Sequence, residues 1–144
     1  RSIYIRLLAR WREDATVVAH FASAADAAER LDAVGLPRSA WLRAPRHLCE
    51  AERALASTAL ALGPDAVIDE FATALDEAAG VALARRVARF VRAQQWNGVV
   101  VATTRTDIEL ALAPDWRFST AERGDFCRFE YDDEGAALAG GDDE

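Results

Sequence analysis

Asp69 and Glu70 follow a short apolar run, Ala66-Val67-Ile68, and Asp76 stands six residues further on after Phe71, Thr73, Ala74 and Leu75. Adjacent carboxylates of this kind suit phosphoryl transfer: the first holds Mg²⁺, directly or through water, and the second orients or deprotonates the attacking water. The arrangement needs a buried strand that delivers both acids to its C-terminal tip, where parallel α/β sheets bind their ligands. The pair alone leaves other readings open. Acids at a strand tip also simply face solvent, and a small, unrelated α/β enzyme using Asp69 and Glu70 with a metal fits the same residues. The remaining reactive side chains are isolated. His20 and His47 each lack a nearby metal-ligating partner, and Cys49 and Cys127 lie far apart, so no zinc site is indicated. A thiol at a helix start gains thiolate character, but Glu50 opposes that, and Cys49 is expected to be a small packing residue.

The elements that must position these residues can be read from punctuation and period. Ser23 with Asp26 resembles a capping box opening a helix over 24–33, which Gly35 and Pro37 end. Leu48, Ala51, Leu55, Ala59 and Leu62 recur at helical spacing, so 48–62 is expected to be an amphipathic helix stopped by Gly63-Pro64. The strand 66–69 follows. Residues 77–95 give the strongest helical pattern: Val81, Leu83, Val87, Phe90 and Val91 share one face, and Asn97-Gly98 is read as its terminator. Its Arg85, Arg86, Arg89 and Arg92 read as a solvated face. Val99 to Thr103 is a second continuous apolar strand. Two buried strands joined by a long helix form a β-α-β unit, with the strands parallel and the helix crossing them. A short helix is expected over 107–113. Residues 117–118 and 126–131 read as an antiparallel hairpin around Arg123-Gly124. Trp41, Trp96 and Trp116 are expected to be packing anchors at element ends. Residues 3–9 fit a strand or a short helix equally well.

Composition narrows the class. The chain has 144 residues, 51% of them hydrophobic, which is ample for one core. Its formal charge of -7 argues against a nucleic-acid surface, because phosphate backbones need a basic footprint. All 17 basic residues are arginine, which excludes lysine-based chemistry, including a phosphate-binding lysine. No run approaches a membrane span, and no signal peptide is visible. A reduced, cytoplasmic protein is the default expectation. The acidic end, Gly140 to Glu144, reads as part of a disordered tail over 133–144, with one domain over 1–132.

One family resemblance rests on order and spacing. Helix 48–62, Pro64-Asp65, an apolar strand, Asp69-Glu70, Ala74-Leu75-Asp76, a long helix, a second apolar strand, Thr103 and Asp107-Ile108 succeed one another as in the C-terminal half of an ABC-type ATPase domain. Residues 37–116 carry the likeness, and Trp41-Leu42-Arg43 with Pro114-Asp115-Trp116 resemble a soluble bacterial and phage branch. The resemblance implies an α/β, P-loop NTPase-like parallel sheet with flanking helices. It implies ATP and Mg²⁺ as cofactors, and a homodimer or pairing with an intact ATPase domain. Position by position, it makes Asp69 the Mg²⁺-organising aspartate and Glu70 the catalytic glutamate. Asp76 falls in the loop that communicates across the dimer, and Arg105, with Thr104, stands where a switch histidine is expected. The segment Leu48, Cys49, Glu50, Ala51 and Glu52 takes the place of the Leu-Ser-Gly-Gly-Glu signature, keeping only its first and last residues. The strand before Asp69 is one residue short of the family's. The Gly-rich phosphate loop is missing. Arg1-Ser2 can be aligned to its last two residues, with Arg1 in place of lysine, or residues 1–20 are unrelated spacer. These departures imply that the chain does not hydrolyse ATP alone. The alternative is a non-catalytic interaction module derived from the same fold.

Overall fold

The structure is a computed structural model that describes residues 11–120 and the backbone of 125–128. Residues 3–9, the Arg123-Gly124 turn and the acidic tail lie outside the described residues. Among the described residues, besides 3-10 turns at Val17–His20 and Pro45–His47, five α-helices and four strands follow in order: α1 (Ala24–Val34), α2 (Arg38–Trp41), α3 (Glu50–Ala61), β1 (Val67–Ile68), α4 (Glu77–Ala93), β2 (Val100–Val101), α5 (Glu109–Leu112), β3 (Trp116–Ser119) and β4 (Asp125–Arg128).

Local chemistry sets these boundaries. Ser23 accepts the Asp26 amide and starts α1. At its other end Gly35, at φ 80°, sits in the left-handed region, while the Gly35 and Leu36 amides donate to the Asp32 and Leu31 carbonyls. That pattern is a Schellman motif. The end of α4 repeats it with a different residue. Gln95, at φ 54°, takes the left-handed position, Gln95 N–H donates to Arg92 O and Trp96 N–H to Val91 O. The helix therefore stops ahead of Asn97-Gly98, and Gly98, at φ 74°, serves the turn into β2 instead.

β1 and β2 pair in parallel, with Val67 opposite Val100 and Ile68 opposite Val101. The parallel expectation holds for this two-stranded sheet, joined through α4. The strands are shorter than the apolar runs and only Ile68 is buried; Val67, Val100 and Val101 are half-exposed. Burial on both faces requires layers that two-residue strands do not carry. α4 packs chiefly on α1 and α5 rather than across the strands. The core accordingly lies among α1, α3 and α4, built on Leu31, Val34, Ala59, Leu83 and Val87, with Phe71 and Ile108 reaching in from the loops after β1 and β2. β3 pairs antiparallel with β4, Trp116 opposite Arg128 and Ser119 opposite Asp125. Trp41 and Trp96 pack on the core as expected, whereas Trp116 is 46% exposed.

Candidate functional site

The sequence places Asp69 and Glu70 at the end of β1, and the backbone there departs from a regular strand. Val100 N–H donates to Ala66 O, and Ala102 N–H to Ile68 O. A regular parallel ladder would next direct the residue-70 amide at Ala102 O. The Phe71 amide takes that acceptor instead, at 3.0 Å. One residue is therefore extruded, a bulge that puts both carboxylates outside the ladder. Glu70 adopts φ 51° and Ala72 φ 61°, left-handed backbone that costs side chains with a Cβ energy. The freed Glu70 amide is capped by Asp69 Oδ1 at 2.9 Å, and Thr73 Oγ1 donates to Glu70 O at 2.6 Å. Thr103 Oγ1 ties Phe71 O to the end of β2 at 3.0 Å. Both acids are exposed, while Phe71 beside them is 1% exposed and anchors the bulge in the core.

Asp76 closes the same loop as the N-cap of α4, its Oδ1 accepting the Ala79 amide at 2.8 Å. Its carboxylate is thus engaged within the helix start. Arg105 folds back from the segment after β2 onto this loop. Its Nη1 donates to Leu75 O at 2.8 Å and Ala72 O at 2.9 Å, and its Nη2 to Asp76 O at 3.3 Å. Nε and Nη2 also grip the two oxygens of Asp107. The hydrogen bonds from Arg105 hold the Asp107 carboxyl below the ordinary carboxylate range, and the same pairing keeps the guanidinium protonated. The guanidinium at the position that the resemblance gives to a switch histidine is spent on backbone carbonyls.

The signature-like segment is also internally satisfied. Cys49 is exposed and caps α3, which corrects the expectation that it packs inside. Glu52 N–H donates to Cys49 Sγ at 3.4 Å, and the Glu52 carboxylate accepts the Cys49 amide at 3.0 Å. This is a capping box with a thiol in the place of the usual hydroxyl. The Cys49 amide, followed by Arg43, holds the Glu52 carboxyl below its ordinary value. Leu48 is half-buried, and Glu50 and Ala51 are exposed in the first turn. An anion approaching this helix start meets two acids already seated there.

A hollow lies elsewhere. A cleft of about 530 Å³ opens at the other end of β1, lined by His20, Phe21, Asp26, Arg30 and residues 60–67. Asp69 and Glu70 do not line it. His20 there is held by its neighbours, with Nε2 accepting the Arg12 amide at 2.9 Å and Nδ1 2.9 Å from Thr16 O. His47 is exposed.

The fit to a metal and a nucleotide can be judged from the donors. Mg²⁺ bound with a nucleotide needs one or two carboxylates, since phosphates and water complete its shell. Asp69 and Glu70 meet that requirement. No group of three or more His, Cys, Asp or Glu suited to a metal occurs among the described residues, so a metal held by protein alone is not supported there. No model of a known protein family, no curated protein and no solved structure matches the chain.

Proposed function

We propose that this chain presents the carboxylate half of an ABC-type ATPase site. Asp69 is the Mg²⁺ carboxylate and Glu70 the group that orients water. Turnover requires a phosphate-binding loop supplied from outside these 144 residues. The observation that carries the reading is the bulge after β1. It sets two adjacent, exposed acids at the C-terminal end of a parallel strand, on a left-handed backbone fixed by Phe71 and Thr103. Energetically costly backbone held by its surroundings is a pointer to function. When bound, Mg²⁺ would neutralise charge on the phosphates. The chain's own residues would hold the ion and position the water.

Without such a loop the two carboxylates repel a nucleotide, so the chain alone does not hydrolyse ATP. Steady-state phosphate release tests this directly. The expected result is release at background, unchanged by Glu70→Gln. Release above background that Glu70→Gln abolishes would show a complete site and overturn the half-site reading.

A second reading, a non-catalytic interaction module of the same origin, draws on α3. There Glu52 and Cys49 satisfy one another and Glu50 occupies the first turn, so this helix start offers no anion site. Like charges ~5 Å apart repel by roughly 3 kcal/mol at an effective dielectric near 20, which exceeds the ~0.3–2 kcal/mol that a helix start contributes to holding an anion. Under this reading the triple change Glu50→Gly/Ala51→Gly/Glu52→Gln, which removes both acids, opens the helix start to phosphate. Inorganic phosphate then shifts the amide resonances of α3 in the variant and leaves those of the wild type in place. Equal shifts in both would contradict it.

A further inference from the structure

We propose that Arg105 is a positioning residue that clamps the loop from Glu70 to Asp76, and that its ion pair with Asp107 aims the clamp. One guanidinium spans the carbonyls of Ala72, Leu75, Asp76 and Glu77 at 2.8 to 3.4 Å. These four residues run from the left-handed Ala72 into the first turn of α4. Their carbonyls converge on a cation as the carbonyls at a helix end would, which is the environment that suits a planar, multi-donor guanidinium. Asp107 accepts from Nε and Nη2 and fixes the plane of the fork. Thr103 Oγ1 accepts the Arg105 amide at 3.2 Å while donating to Phe71 O, so the same short segment grips the loop at both ends.

Gly80 shows that the space for the clamp is built in. A Cβ on Gly80 would lie 2.3 Å from Arg105 Nη1 and 2.6 Å from Cζ. A glycine inside a long helix is costly relative to alanine, and here its missing side chain is the seat of the guanidinium. Phe71 and Thr103 hold the start of the loop, and the clamp joins Ala72 to Glu77, so without it the segment after the bulge would loosen.

The proposal concerns the free protein and stands whether or not Asp69 meets a nucleotide. Amide hydrogen exchange on the full chain tests it at Phe71, Thr73 and Leu75, whose amides donate to Ala102 O, Glu70 O and Ala72 O. Arg105→Gln is expected to raise exchange at these three at least ten-fold, leaving α1 and α3 unchanged. Gly80→Ala is expected to do the same with every charge retained, because it evicts the guanidinium from its seat. Arg105→Lys should restore part of the protection, since an ammonium reaches a subset of the carbonyls. Asp107→Ala, which removes the acceptor of the Arg105 Nε–H, should raise exchange at the same three amides part of the way toward Arg105→Gln. Wild-type exchange in Arg105→Gln or Gly80→Ala would overturn the proposal. So would a uniform rise across α1 and α3, or Arg105→Lys as unprotected as Arg105→Gln.

Discussion

At the scale of single residues, what separates this chain from a set of scattered acids is what each carboxylate is bonded to. Asp69 and Glu70 are exposed, and beyond the amide that Asp69 caps they are available to a ligand. Glu52 and Asp76 carry the same charge but are committed to helix starts. Removing these caps therefore costs stability and not ligand binding. Asp76→Ala is expected to lower unfolding free energy by about 1 kcal/mol, measured by urea titration, as other lost N-caps do. Cys49→Ser is expected to raise it by a few tenths to about 1 kcal/mol, because a hydroxyl accepts the Glu52 amide better than a thiol sulfur does. Glu52 gives a pH signature. Its folded pKa lies below the ordinary 4.5, so its stabilisation is fully present above that value and is lost as pH falls through the folded value. The stability gap between wild type and Glu52→Gln should be constant near neutrality and close below about pH 4.5. A gap that widens in acid would contradict the capping role.

At the scale of elements, the ends of α1 and α4 make a natural comparison, because both finish in a Schellman motif but only one uses glycine. Gln95 holds a conformation disfavoured for a residue with a Cβ. Gln95→Gly is expected to stabilise the protein by about 0.5–1 kcal/mol, the left-handed cost outweighing the entropy of glycine; urea midpoints decide it. A loss of stability would mean that the Gln95 side chain contributes packing there. This terminator was not legible in the sequence. Asn97-Gly98 is the stronger textual signal, but the Trp96 ring, edge-on to Phe90 at 5.4 Å, and its amide on Val91 O close the helix earlier. The long helices α1, α3 and α4 were legible, because amphipathic period and the caps of α1 at Ser23 and Gly35 are local properties, whereas α2 falls in a stretch that reads as loop. The bulge at Glu70 was not, since the Phe71–Ala102 hydrogen bond that defines it joins residues 31 positions apart. The role of Arg105 was hidden for the same reason: its acceptors are carbonyls, which carry no sequence signal.

At the scale of the whole molecule, helices provide the core and a two-stranded parallel sheet provides the edge on which the acids are displayed. No described helix is long and apolar enough to cross a membrane. The cleft lined by His20 and Leu62 and the acids proposed to meet Mg²⁺ lie at opposite ends of β1, so the two sites can be told apart by where a metal–nucleotide complex settles. Paramagnetic broadening of the amide spectrum by Mn²⁺ with ATP detects even weak contact with the full chain. The half-site account predicts broadening confined to amides around Asp69 to Thr73, sparing His20, Arg30 and Leu62, and abolished by Asp69→Asn/Glu70→Gln. Broadening centred on the cleft around His20 and Leu62, or broadening at Asp69 that survives the double substitution, would contradict it.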